Sequence, residues 1–164
     1  MLCYHLVPSV AWRSCVETKT PYYPPTYQQD GFIHLTADPA LLLTVANHFF
    51  VDSSGEWVVL VLDSGKLTAE VKFEPAAPVG NKSSGGLLGG DQQQQQQQAD
   101  GAAAAAPAAP AAEAQPQEPL FPHLYGTIDF EAVVGELPVE RDASGRFLSI
   151  QGVPPADCQF SEFT

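Results

Sequence analysis

Trp57-Val58-Val59-Leu60-Val61-Leu62-Asp63 (WVVLVLD) is apolar at every position up to its closing aspartate. A strand with one wet face would alternate apolar and polar residues, so this run is predicted to be a central strand covered on both faces. Downstream, Ser64 and Gly65 make a turn and EVKFE (residues 70–74) alternates, which places Val71 and Phe73 inward and Glu70, Lys72 and Glu74 outward. Upstream, the chain opens with a strand from Leu2 to Val7, in which Cys3 and His5 share a face, and a helix from about Ser9 to Glu17 that starts at Pro8 and Ser9. A turn-rich aromatic loop, PYYPPTYQQDG (residues 21–31), leads into the strand FIHLT, with Phe32, His34 and Thr36 on one face and Ile33 and Leu35 on the other. Asp38 is the expected N-cap and Pro39 the first helical position of a second helix. Its residues Leu42, Val45, Ala46 and Phe49 recur at helical spacing until near Phe50, giving a face that packs on a sheet. FPHLYGTIDF (121–130) and AVVGELPV (132–139) read as two further strands, followed by a turn at Gly145 and a short apolar run from Phe147 to Ile150.

The composition changes abruptly at Pro75. From there to Glu118 the chain holds a glycine and serine patch, seven consecutive glutamines and an alanine and proline tract, without one aromatic residue. Val79, Leu87 and Leu88 are its only large aliphatic side chains, too few to offset the entropy of ordering it, and Pro107 and Pro110 interrupt any alanine helix. The expected organisation is a single domain over 1–150, ordered in 1–74 and 119–150, with a disordered low-complexity insertion at 75–118 and a C-terminal tail at 151–164.

The 164 residues carry 19 acidic and 7 basic side chains, a formal charge of -12, the wrong sign for neutralising a nucleic-acid backbone. The longest aliphatic stretch, Val58 to Leu62, falls far short of the roughly twenty residues of a membrane helix, so neither nucleic acid nor membrane is an expected partner. Cys3, Cys15 and Cys158 have neither an even number nor zinc-ligand spacing, which points to a reducing compartment. The N-terminus lacks the cationic region of a secretory signal, and a soluble, cytoplasmic protein is expected.

His5, His34 and His123 sit in strand-like segments beside aromatic or hydroxyl side chains. An extended backbone puts His123 and Tyr125 on one face, and likewise His34 and Thr36, pairing a titratable ring with a hydroxyl each time. Taken singly, each is more simply a half-buried histidine bonded to a carbonyl, and it is their number that points to a site. The glycines at 85, 86, 89 and 90 follow no strand, GNKSS (80–84) lacks the upstream glycine of a phosphate loop, and HExxH, GxSxG and CxxC are absent. Zinc held by the three histidines would need a ligand-spaced pair, which the sequence does not contain, so no metal is expected. Asn47 and His48 read as interface or surface residues.

Taken in order, YHL (4–6), Trp12, YxPP (22–25), DGFIHLT (30–36), VANHFF (45–50), VKFE (71–74) and FPHLYG (121–126) form a series that resembles the domain of unknown function 952 family. The resemblance spans most of residues 2–150, with GFIHLT and FPHLYG its most specific pieces, and departs from the family in the long insertion and the tail. It implies a small α+β fold similar to the ADP-ribosyltransferase superfamily, an ADP-ribosylation-like fold of split β-sheets with two main helices. Active relatives of that superfamily hold NAD in the cleft between the sheets. Carried onto this chain, the resemblance implies a nucleotide-like ligand, with NAD as substrate and no resident cofactor specified, and chemistry at the N-glycosidic bond. Ligand contacts would then come from His5, Tyr22, Tyr23, His34, Thr36, His123 and Tyr125, and the catalytic groups would be Glu74 and His123. Loss of nicotinamide leaves positive charge on the ribose, which a carboxylate stabilises more in the transition state than in the ground state. The alternative is a non-catalytic module of the same fold that binds a small ligand or a protein segment.

Overall fold

The computed structural model describes residues 1–80, 82 and 119–153. Within them the chain forms β1 (Leu2–Pro8), α1 (Ser9–Thr18), a one-turn α2 (Tyr27–Asp30), β2 (Ile33–His34), α3 (Leu42–Phe49), β3 (Trp57–Asp63), β4 (Glu70–Pro75), β5 (Leu120–Tyr125), β6 (Val133–Arg141) and β7 (Phe147–Ile150). The architecture is mixed α and β, with two antiparallel sheets. One sheet has the order β1-β3-β6-β7 and the other β2-β5-β4.

β3 is central and apolar on both faces, as its sequence requires. Leu60 and Leu62 lie opposite His5 and Cys3 of β1 and pack toward the second sheet, against Ile33, Leu35 and Leu124. Trp57 and Val59 lie on the other face with Leu6, where Leu42 and Ala46 of α3 and Phe147 and Ile150 of β7 cover them. The first sheet is therefore sandwiched between the second sheet and α3, and both cores are made by alternate residues of the same two strands.

α3 begins as the capping chemistry dictates. The Asp38 carboxylate accepts the Ala40 N–H at 2.9 Å, Pro39 opens a short 3-10 turn over Pro39–Leu41, and α3 follows. Asn47 is a structural residue rather than a surface one. Its amide donates to the Phe147 carbonyl at 2.9 Å and accepts the Phe147 N–H at 2.9 Å, so the helix pairs with the β7 backbone like a strand neighbour.

Two expectations need correcting. Phe73, expected inward, is 45% exposed, because β4 is an edge strand whose far end passes the limit of the core. The stretch assigned to the insertion starts with packed chain: Pro75 closes β4, and Val79 is buried against Phe49 and Phe121. Lys82 bonds Asp52 at 2.8 Å. The expected disorder at 83–118 and the tail from 154 lie outside the described residues.

Replacing Asn47 with Ala leaves the buried Phe147 N–H and carbonyl without this partner. The expected loss is about 2 kcal/mol in urea unfolding, with an unchanged dependence on urea concentration. A loss below about 0.5 kcal/mol would show that Asn47 does not hold α3 on β7.

Candidate functional site

Among the described residues, a single antiparallel bridge joins the sheets at the edge of β1. Tyr4 and Thr36 exchange both main-chain hydrogen bonds at 2.8 Å. Around this junction, α3, the Tyr22–Thr26 loop and residues 76–79 wall off a cavity of about 420 Å³, whose lining includes His5, His34, Thr36, Trp57 and His123. That volume lies within the ~300–1,000 Å³ range of small-molecule sites.

His34 and His123 face each other across the β2–β5 ladder, with ring centres 5.3 Å apart in an edge-on arrangement. β4 supplies the partner of His123. Lys72 lies opposite His123, so Glu74, two residues on, shares its face and reaches the ring diagonally. His123 Nδ1–H donates to Glu74 Oε2 at 2.8 Å, and the Tyr125 hydroxyl donates to the same oxygen at 2.8 Å. These two hydrogen bonds, His123's first, hold the Glu74 carboxyl below the usual carboxylate range. Phe32 stacks on the His123 ring at 4.2 Å and 22°. With Nδ1 committed as donor, the neutral ring carries its lone pair on Nε2, which is buried and has no partner among the described residues.

His5 is fixed by the same logic from the other sheet. Its Nδ1–H donates to the His34 carbonyl at 2.9 Å, leaving Nε2 buried and unpartnered. Burial outweighs that hydrogen bond and moves the His5 pKa down to about 4, so the ring is neutral at neutral pH. The His34 pKa is also lowered, chiefly by burial, with the Asp30 carboxylate opposing the shift. Asp30 accepts from His34 Nε2 at 3.1 Å and from the Gly80 N–H at 3.1 Å, which ties the end of α2 to the chain leaving β4. Gly31 permits this placement. At φ 79 it closes α2 by donating to the Tyr27 carbonyl, a left-handed conformation that suits glycine.

The expected site residues separate into two groups. His5, Tyr22, His34, Thr36 and His123 converge on the cavity. Tyr22 is buried, with its ring 5.6 Å from His5 and 6.1 Å from Trp12, and burial pushes its hydroxyl pKa upward. It is a wall residue of the cavity. Tyr23 is half exposed and packs on Tyr27 instead, while Glu74 and Tyr125 stand behind His123 and do not line the cavity. Three residues that were not singled out join the site: Asp30, Phe32 and Trp57. The first two lie in the DGFIHLT motif, and the α2 turn brings Asp30 four residues back onto His34. Nothing in WVVLVLD marks the indole as a cavity wall. Among the described residues no group of three or more His, Cys, Asp or Glu side chains is arranged to hold a metal ion.

A family profile described as "Protein of unknown function (DUF952)" matches residues 6–136. The chain belongs to this family. The fold of this DUF952 domain is similar to the crystal structure of protein CC0527 from Caulobacter crescentus, with 19% identity, a TM-score of 0.55, and coverage of 90% of this chain and 94% of that one. A double-methionine mutant of CC0527 aligns with the same TM-score at 18% identity. At these identities the likeness concerns the fold alone. No curated protein matches the chain. None of these descriptions names an ADP-ribosyltransferase, NAD or any other ligand.

Because the His5 pKa is lower in the folded than in the unfolded state, the unfolded chain binds the extra proton between about pH 6.5 and about pH 4, and stability falls as pH falls through that window. The His5 share of this loss is on the order of 3 kcal/mol. Urea midpoints measured at intervals across the window should show the slope, and His5→Phe should flatten it. An unchanged slope in a folded His5→Phe chain would show that His5 is not the buried neutral group.

Proposed function

We propose that the DUF952 domain binds a small molecule in the cavity between its sheets and uses His123 as the acid–base group there. The observation that carries this is the Glu74–His123 pair. The Glu74 carboxylate accepts the Nδ1–H, which leaves Nε2 as the nitrogen able to take a proton; it is buried in the free chain, so a ligand hydroxyl or water reaches it when the cavity wall shifts around the bound ligand. When Nε2 accepts a proton the ring becomes an imidazolium, and the adjacent Glu74 carboxylate stabilises it. Tyr125 holds that carboxylate in place from behind. His5 has a different part in this reading. With its pKa near 4 it stays neutral and serves as a fixed acceptor that orients the ligand.

A second reading follows the resemblance to ADP-ribosyltransferases, in which the chain acts on the N-glycosidic bond of NAD. The placing of His5 and Tyr22 together at the cavity favours it, since the resemblance names both among the ligand contacts. Glu74 would have to be the acid, and here it supports His123 from outside the cavity. A non-catalytic module would show saturable binding and no turnover.

The test is calorimetric titration of the full chain with NAD, ADP-ribose, nicotinamide and uncharged nucleosides, followed by mass spectrometry for released products. His123→Ala should weaken binding by about tenfold, the equivalent of one lost hydrogen bond in a dry site. Glu74→Gln should leave binding within about threefold and remove any turnover. Equal affinity in parent and folded His123→Ala chains would overturn the site, and release of nicotinamide would establish the second reading.

A further inference from the structure

His34, which faces His123 across the β2–β5 ladder, belongs to a second carboxylate–histidine pair. Asp30 lies four residues before it, and the α2 turn returns the carboxylate onto the ring, where Oδ2 accepts from His34 Nε2 at 3.1 Å. A carboxylate only accepts, so Nε2 carries the hydrogen and the lone pair of the neutral ring sits on Nδ1. This is the opposite tautomer from that of His5 and His123, which donate from Nδ1.

The tautomers differ in what they leave open. The Nε2 atoms of His5 and His123 are closed off in the free chain. His34 Nδ1 is not among the closed-off atoms and has no hydrogen-bond partner among the described residues, in a side chain that is 20% exposed and lines the cavity. Of the cavity histidines it is the one that offers a reachable lone pair. Asp30 is the reverse: its side chain is 6% exposed, lines no part of the cavity, and accepts the Gly80 N–H at 3.1 Å. A buried, backbone-anchored carboxylate on one nitrogen and an unpartnered lone pair on the other is the arrangement of an orienting acid and a working base. Burial holds the His34 pKa below the ordinary imidazole value against the pull of Asp30, with His123 adding to the lowering, so the lone pair is available at neutral pH.

The wall sets the character of what the base can meet. No Lys, Arg, Asp or Glu lines the cavity, and Leu42, Val45, Phe49, Phe50 and Phe121 give it an apolar surface. A charged group brought here would lose its hydration without meeting an opposite charge.

Resting on the reading of the cavity as a ligand site, and not on the part given there to His123, we propose that Asp30 and His34 are a second acid–base pair whose substrate is an uncharged, largely apolar molecule presenting a hydroxyl to His34 Nδ1. The hydroxyl donates to Nδ1. On transfer the O–H bond breaks, its electron pair stays on oxygen, and the proton makes His34 an imidazolium beside the Asp30 carboxylate. Asp30 touches no ligand and is a positioning residue, which fixes the tautomer and offsets the charge.

The test is nitrogen NMR of the full chain carrying isotope-labelled histidine, with His34→Gln to assign the His34 signals. The parent chain should show His34 as the Nε2–H tautomer and His5 and His123 as Nδ1–H tautomers. Phenol, an uncharged ring with a hydroxyl, should shift the His34 Nδ1 resonance, and anisole, the same ring with that hydroxyl methylated, should not. In Asp30→Asn the midpoint of the His34 titration should fall, because the anion that favours the imidazolium is gone. A purely structural Asp30 leaves that midpoint in place, and an unchanged midpoint overturns the pair. So does a parent chain with His34 as the Nδ1–H tautomer, a result that needs no variant to fold. A phenol shift at His123 Nε2 without one at His34 overturns this proposal and leaves the site reading standing. No shift at any of these histidines overturns His34 as the ligand contact, and the calorimetric titration then decides the site reading by itself.

Discussion

The arrangement of the two sheets turns on the two main-chain hydrogen bonds exchanged by Tyr4 and Thr36. They join two separately ordered sheets at one point on the edge of β1, and the cavity forms around that junction. Had β1 and β2 zipped along their lengths, the result would be one continuous sheet with no room between strand edges. A single bridge fixes the relative position of His5 and His34 to within a hydrogen bond while leaving space for α3 and residues 76–79 to form the remaining walls. The two sheets share an apolar core of Leu60 and Leu62 with Ile33, Leu35 and Leu124, so the bridge sets geometry rather than carrying the stability of the fold.

Burial then decides what the histidines can do. Imidazoles placed in a dry wall with carbonyl or carboxylate partners on one nitrogen are held in a single tautomer, and the other nitrogen becomes a lone pair of known location. His5 has only a backbone carbonyl to oppose its desolvation, and its pKa falls to about 4. His123 instead donates to a carboxylate, that of Glu74. The relation is the familiar one in which a second group orients a ring.

The chain leaving β4 shows how far composition can be trusted. Pro75 to Gly80 contains no aromatic residue and little aliphatic surface, and by that measure belongs with the glutamine and alanine tracts. It is nonetheless packed, because the Gly80 N–H meets the Asp30 carboxylate, the Gly80 carbonyl accepts from Gln29, and Val79 finds Phe49 and Phe121. These contacts are supplied by other elements, and a local window does not contain them. Removal of the low-complexity tract should therefore be planned from beyond Lys82.

Local chemistry determined the elements. Two-sided apolarity made Trp57–Asp63 central, Asp38 and Pro39 started the second helical segment, and period-two alternation placed His123 and Tyr125 on one face, where both meet Glu74. The motif series likewise pointed to the family. Tertiary structure alone decided which of those faces looked at which. Phe73 alternates correctly and still lies exposed, since an edge strand outruns its core, and Tyr22 is buried where its neighbour Tyr23 is not. Trp57 and Asp30 entered the site only through the fold. A side chain's face along its own element is a matter of backbone periodicity, which the sequence carries. Its partner is a matter of sheet register and of loops that cross between sheets, and those arise from contacts among residues far apart in the chain.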